Sequence, residues 1–267
     1  MPSKSTGKTI LKIKINKKDI VISFTDRSKE RLSKEVLASY YLYEGKTLSH
    51  KDISEMKNYS AVASLMKYAL SLLKKGHYSE WKMREKLYAK EAKKSDVDRV
   101  IKSLKNNDLI NDKMLAEDLI EYGNERNLGK NKIINELSQK GIFEDVIAKY
   151  RFSSSLEKKK ALANLSKLEK KYDRYPHEQK KQHIYRGLIS LGFDSDIASE
   201  VLNRISMPKQ KEEKDKLERD FQKVLFSLKR KYEGNELKNK VVTSLRGKGY
   251  KVKDILNQWE AHYGETY

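Results

Sequence analysis

The sequence predicts an all-α fold of tandem three-helix repeats in an elongated curved array, preceded by a short N-terminal β-hairpin and helix. Three observations predict it. Only three Pro and twelve Gly occur in 267 residues, so few positions can break a helix. Apolar residues recur at helical spacing through most of the chain, even in its most charged stretches. An aliphatic residue, three spacers and Gly return as one phrase, at Leu137 to Gly141, Leu188 to Gly192 and Leu245 to Gly249.

In chain order, TILKIKI and DIVISF alternate apolar with polar residues around Asn16, Lys17 and Lys18, which predicts a hairpin over 9–24. Residues 28–45 read as a helix, with Leu32, Val36, Leu37 and Tyr40 on one face and Gly45 as its stop. Together they form a unit over 1–60. Four three-helix units follow over 61–109, 110–152, 153–206 and 207–267, each with a long, a middle and a short helix. The recurring phrase closes the middle helix, because Gly in the left-handed conformation ends a helix without a Cβ penalty. The next residue, Ile142, Phe193 or Tyr250, packs back on the last turn, and the short helix follows with Val146 and Ile147, with Ile197, Val201 and Leu202, or with Ile255 and Leu256. In the first unit, Met83 and Leu87 hold the middle-helix face but Glu91 stands where the others have Gly, a degenerate cap. The long helices of the last two units, over 156–172 and 212–232, carry runs such as Lys158, Lys159 and Lys160. They keep an apolar face through Leu162, Leu165 and Leu168, and through Leu217, Phe221, Val224, Leu225 and Leu228. Three helices of this size bury only a small core, so neighbouring units lean on one another.

Composition suits thin cores: 37% of residues are hydrophobic and 36% charged. Lys plus Arg number 58 against 38 Asp plus Glu, a formal charge of +20 that points to nucleic acid or an acidic protein surface as partner. Any single Lys reads as a solubilising residue on a helix face; the excess as a whole reads as a partner signal. The absence of Cys excludes disulfides, thiolate zinc sites and a Cys nucleophile. With no signal-peptide core and no apolar run of membrane-span length, a cytoplasmic monomer without membrane association is expected.

Gly7, Lys8 and Thr9 resemble the end of a phosphate loop, but Pro2 stands where its first Gly is needed, and no strand fits before it. His50, His77, His177, His183 and His262 lack metal-ligand spacing and read as surface or interface residues. Acidic pairs such as Glu212 with Glu213 sit on charged helix faces. No catalytic residue, metal or cofactor is expected, and the chain reads as non-enzymatic. Among sixteen Tyr, the cluster Tyr40, Tyr41 and Tyr43 reads first as helix packing and second as a base-stacking surface. Trp81 and Trp259 read as partly packed. The candidate partner-binding residues are basic: Lys82, Arg84, Lys86 and Lys90; Arg126, Lys130, Lys132 and Lys140; Lys158, Lys159 and Arg186; Arg246 and Lys248. Aligned on successive units, they would form a discontinuous positive strip along the concave side, with weak single contacts and a salt-dependent sum.

Residues 61–142 resemble the RecX family of recombination regulators in several linked phrases. AVASLMKYALSLLKKGHYSEWKMREKLYAKEA is similar to the family's opening helix pair, with Ser79, Glu80, Lys86 and Leu87 in the matching places. LINDKMLAEDLIEYGNERNLGKNKIINELSQKGI resembles its signature region through Leu109, Ile110, Asn111, Asp112, Ala116, Arg126, Gly129, Ile133, Leu137, Lys140, Gly141 and Ile142. The pattern is broken at Leu115, where an aromatic is usual, at the step from Gly129 to Lys130, which lacks a proline, and around Glu121 and Tyr122, where an arginine is missing. The resemblance implies a protein that binds the RecA recombinase filament, lodges in its groove with the DNA, single- or double-stranded, and restrains ATP hydrolysis and strand exchange in DNA repair and the SOS response. The rival reading is a general basic helical DNA- or RNA-binding protein without a recombinase partner.

Overall fold

The computed structural model describes residues 7–264. The chain opens with strands β1 (Lys8–Ile15), β2 (Asp19–Phe24) and β3 (Lys29–Ser33), followed by helix α1 (Glu35–Ser39) and strand β4 (Thr47–Leu48). The four strands form one antiparallel sheet in the order β3-β2-β1-β4. The expected hairpin is there, with Ile15 opposite Ile20 and the turn held by Asn16 Nδ2 donating to Asp19 Oδ1 at 2.7 Å. It is half of a larger sheet, which corrects the expectation of a lone hairpin followed by a single helix over 28–45.

The reason lies in residues 26–28. Asp26 Oδ1 accepts from both the backbone N–H and the hydroxyl of Ser28, at 3.0 and 2.6 Å, and Arg27 takes a left-handed φ of 67°. Lys8 Nζ pairs with the Asp26 carboxylate at 2.7 Å, and its hydrogen bond, followed by those from Ser28, lowers the Asp26 pKa to about 2. The turn sends the chain back along β2, from Ser23 opposite Lys29 to Asp19 opposite Ser33. Leu32 and Val36 are buried as expected, but a spacing of four residues satisfies both the helical period and the strand period, so it could not separate the two. These side chains join Ile10, Ile20, Ile22 and Phe24 in the sheet's core.

Helix α2 (His50–Leu73) starts on a reciprocal cap: the Ser49 hydroxyl accepts from the Asp52 backbone N–H, and the Asp52 carboxylate accepts from the Ser49 N–H. Its first half puts Ile53 and Met56 into the sheet core, and its second half puts Leu65 and Ala69 into the next one. The boundary expected at residue 61 therefore falls inside a continuous helix. Among the described residues eleven helices follow: α3 (Glu80–Tyr88), α4 (Lys94–Asn106), α5 (Asp112–Glu125), α6 (Lys130–Gln139), α7 (Glu144–Ile147), α8 (Ser154–Lys171), α9 (His177–Ser190), α10 (Ser195–Leu202), α11 (Gln210–Leu228), α12 (Gly234–Gly247) and α13 (Val252–Tyr263). Among the described residues, three buried clusters serve α2 to α4 and α8 to α13. Met83, Leu87, Val97, Val100, Ile101 and Leu104 join Leu65 and Ala69 between α2, α3 and α4. Ala161, Leu165, Ile184, Leu188, Phe193, Ile197 and Val201 fill α8 to α10, and Leu217, Phe221, Leu225, Leu237, Val241, Leu245 and Ile255 fill α11 to α13. The chain divides into two compact units, one up to Glu117 together with Leu137–Ile147, the other Asp118–Glu136 together with the chain from Ala148 onward.

Gly141, Gly192 and Gly249 have φ of 77°, 92° and 91°. Each closes its helix with the same pair of bonds. The Ile142 N–H reaches Leu137 O, Phe193 reaches Leu188 and Tyr250 reaches Leu245, at 3.0 to 3.2 Å, while each glycine N–H reaches the carbonyl three residues back. Within each unit these turns also meet the start of another helix. A Cβ on Gly141 would lie 2.6 Å from Trp81 Cε3, and the Ser79 hydroxyl, the N-cap of α3, donates to Lys140 O at 2.5 Å. A Cβ on Gly192 would lie 2.3 Å from Lys132 N at the start of α6, where the Gly129 and Asn131 N–H groups donate to the Leu191 and Gly192 carbonyls at 2.8 and 3.0 Å. A Cβ on Gly249 would meet Gln179 Cβ of α9 at 3.3 Å, and Gln179 Nε2 donates to Gly247 O at 3.4 Å. In all three places the last carbonyls of one helix satisfy donors at the first turn of another, which pairs opposite ends of their dipoles. Glu91, at the end of α3, is left-handed too, with φ 56°, but exposed.

Candidate basic interface

The basic residues expected to meet a partner fall into two groups. In the first, internal carboxylates or aromatic rings hold the cation. Arg84 reaches Glu80 Oε1 at 2.9 Å and Asp98 Oδ1 at 2.5 Å, and Lys105 joins it on Glu80 at 2.7 Å. The hydrogen bond from Lys105 is the main cause that holds the Glu80 carboxyl below its ordinary range. The Glu80 backbone N–H is capped by Asp112 Oδ1 at 2.8 Å, and burial raises the Asp112 pKa. Lys82 pairs with Glu85 at 2.9 Å and lies 4.5 Å over Trp81. Trp81, partly packed as expected, meets Phe143 edge-on at 6.0 Å.

The rest of this group follows the same pattern. Lys130 pairs with Asp194 at 2.6 Å, and that hydrogen bond first, with Asn131 behind it, lowers the Asp194 pKa. Lys158 pairs with Glu200 at 2.7 Å, and Lys248 with Asp220 at 3.2 Å. Lys90 lies over Tyr68 and Arg126 over Tyr122. A cation already paired with a carboxylate inside the chain offers little to a polyanion unless the pair opens, whereas Lys90 and Arg126, on rings alone, keep their charge.

The second group consists of Lys86, Lys132, Lys140, Lys159, Arg186 and Arg246, exposed and without an ion-pair carboxylate among the described residues. With Lys90 and Arg126, which are exposed as well and keep their charge on an aromatic ring, these six are the available cations from the expected set. Of the six, Lys86 and Lys140 belong to one compact unit and the other four to the other.

One lysine of the charged run on α8 differs from its neighbours. Lys160 is 2% exposed and pairs with the equally buried Glu157 at 2.5 Å. Its Nζ also donates to Asn124 Oδ1 at 2.8 Å, Glu157 Oε2 accepts from the Lys130 backbone N–H at 2.9 Å, and Asn164 Nδ2 donates to Asn127 O at 2.8 Å. The network ties the turn between α5 and α6 to α8. His177, expected at the surface or an interface, is buried, with its backbone N–H on Glu213 Oε2 at 3.1 Å. Sequence reasoning missed a third group. Arg174, Lys216, Arg219 and Lys223 converge with Lys248 on one cleft, and only the i, i+4 spacing of Arg219 and Lys223 hinted at it.

Among the described residues no three His, Cys, Asp or Glu side chains gather as metal ligands, and no helix is long and apolar enough to cross a membrane.

No protein-family model matches the chain. The regulatory protein RecX of Lactococcus lactis subsp. lactis (strain IL1403) is 30% identical over 240 residues, which span 87% of this chain and 88% of that protein. The regulatory protein RecX of Listeria innocua serovar 6a is 29% identical over 244 residues, 90% of each chain. A crystal structure of regulatory protein RecX aligns over 74% of this chain and 100% of its own with a TM-score of 0.55 at 23% identity, a likeness of fold. An identity of 30% sustained over nearly the whole length of both sequences leads to one assignment: the chain belongs to the RecX family of regulatory proteins.

Proposed function

We propose that this chain regulates a RecA-type recombinase by binding its nucleoprotein filament and restraining ATP hydrolysis and strand exchange, in the cytoplasm, during DNA repair, recombination and the SOS response. It acts by occupancy, without an active site of its own, and DNA within the filament is a second partner. Family membership supports the recombinase as partner. The observation that carries the physical side is the set of exposed, uncompensated cations, Lys86, Lys132, Lys140, Lys159, Arg186 and Arg246, on a chain of formal charge +20. Such residues complement acidic protein surface or phosphate by many weak contacts. The elongated curved array and the four three-helix repeats belong to this proposal, with small-angle scattering of the monomer as their check.

The test is recombinase ATPase on single-stranded DNA with substoichiometric protein. Replacing Lys86, Lys132, Lys140 and Lys159 by Ala together is expected to raise the half-inhibitory concentration about tenfold or more, since four contacts of a few tenths of a kcal/mol each sum to roughly 1.4 kcal/mol. The helical circular-dichroism signal should stay unchanged. Full inhibition by the variant would remove these four residues from the contact. Equal salt-sensitive binding to naked and coated DNA, with no effect on the ATPase, would favour a general nucleic-acid-binding protein.

A further inference from the structure

The second compact unit contains a basic cleft of about 370 Å³, bordered by the turn between α8 and α9, by α11 and by the end of α12. Arg174, Lys216, Arg219, Lys223 and Lys248 line it, and Asp220 is the one carboxylate among its lining residues. Asp220 is already engaged: Lys248 pairs with it at 3.2 Å and the Tyr250 hydroxyl donates to it at 3.1 Å. Lys216 is likewise met, by Glu213 at 3.3 Å and the Tyr175 carbonyl at 3.3 Å. That leaves three charges uncompensated.

Arg174 lies on the Tyr175 ring at 4.9 Å and donates to its hydroxyl at 2.9 Å, so its position is held without a carboxylate. Arg219 spends Nε on the Asp215 backbone carbonyl at 3.2 Å, and its other two nitrogens make no ion pair among the described residues. Lys223 stands one turn beyond Arg219 and has no ion-pair carboxylate among the described residues. Like charges at i, i+4 repel, and a third cation brought in from a different helix pair adds to that cost. An anion with several acceptor oxygens in the cleft would reverse the sign of all three terms, and guanidinium groups suit phosphate oxygens in particular.

We propose that this cleft is a phosphate-group site, and that the group it takes is a backbone phosphate of a nucleic-acid strand. A free phosphoryl anion such as pyrophosphate has the same chemistry, and one neighbouring feature favours the strand. Lys223 also borders a second hollow of about 410 Å³ with Phe226, Lys229 and His262. Phe226 is 57% exposed there, with Lys229 Nζ at 5.5 Å and Arg230 at 4.9 Å from its ring centroid. An exposed ring beside a phosphate pocket is where a base of the same strand can stack, and a free anion has no use for it.

The site is tested with the full chain and no recombinase, so its failure leaves the recombinase reading untouched. The variant R219A/K223A is compared with K211A/K214A, which removes the same charge from exposed positions of the same helix outside the cleft. Affinity for a labelled single-stranded oligonucleotide should fall about tenfold or more in the cleft variant, and the slope of log affinity against log salt should shrink by roughly 1, as expected when one or two phosphate contacts are lost. The control should lose less than about threefold, the share due to net charge alone. A calorimetric titration with pyrophosphate is the second arm. Pyrophosphate that binds the parent chain and not the cleft variant, while oligonucleotide affinity stays level, identifies a phosphate-group site for the free anion. Indistinguishable variants in both arms overturn the site.

Discussion

The turns that close α3 and α9 have the same handedness and different residues. Glu91 and Gly192 are both left-handed, at φ 56° and 92°. Around Glu91 the chain is open to solvent, whereas the backbones of Gly129 and Lys132 lie against Gly192. The difference teaches why glycine recurs in this chain. A left-handed residue is what the helix end requires, and Glu can supply it at a cost of roughly 1–2 kcal/mol. Glycine becomes necessary where the start of another helix presses on the turn. α6, α9 and α12 end on such a contact, with α3, α6 and α9 in that order. The closing turn of α3, at Glu91, is exposed to solvent instead.

The largest expected effect concerns the ion pairs of the two regions. Lys160→Ala should destabilise the protein by about 3–5 kcal/mol, because it leaves Glu157 charged and buried. Arg84→Ala, in the half-exposed cluster on α3, should cost about 1 kcal/mol or less. Urea midpoints of the two variants decide it, and equal losses would make the two regions alike.

Next comes the gradient along the glycine turns themselves. Gly192→Ala should cost roughly 2–4 kcal/mol, from the left-handed backbone and from a methyl 2.3 Å from Lys132 N. Gly249→Ala, with its nearest neighbour at 3.3 Å, should cost about 1–2 kcal/mol, the backbone share alone. If thermal unfolding of the two variants coincides, close approach is not what selects glycine at Gly192. The smallest effect has the opposite sign. Glu91→Gly should stabilise by about 1 kcal/mol, read as a higher urea midpoint with the slope unchanged. A loss there would mean that the Glu91 side chain holds the turn by a contact of its own.

Much of the helical part was legible from residues near one another in sequence. Leu137, Leu188 and Leu245 are buried, their glycines are left-handed, and Met83 and Leu87 hold the face expected of them, because helix periodicity and a C-terminal cap are local properties of the chain. The N-terminal region was half legible. The spacing of Leu32 and Val36 fits helix and strand alike, and only pairing with β2 chose the strand for Lys29–Ser33, while Val36 stays on the short helix α1.

The candidate site was legible as a list of positive charges and no further. Lys158, Lys159 and Lys160 stand side by side in the sequence, yet one pairs with Glu200, one is exposed and one is buried on Glu157. Lys130 is neutralised by Asp194, a residue 64 positions away, while Arg219 and Lys223 gain a cleft from Arg174 and Lys248 on other elements. The sequence by itself determined the helices, the glycine-closed turns and the sign of the charge, each set by neighbours within a turn or two. Which charges are free to meet a partner was decided only by tertiary structure, because a carboxylate screens a cation by distance in space and not by distance along the chain.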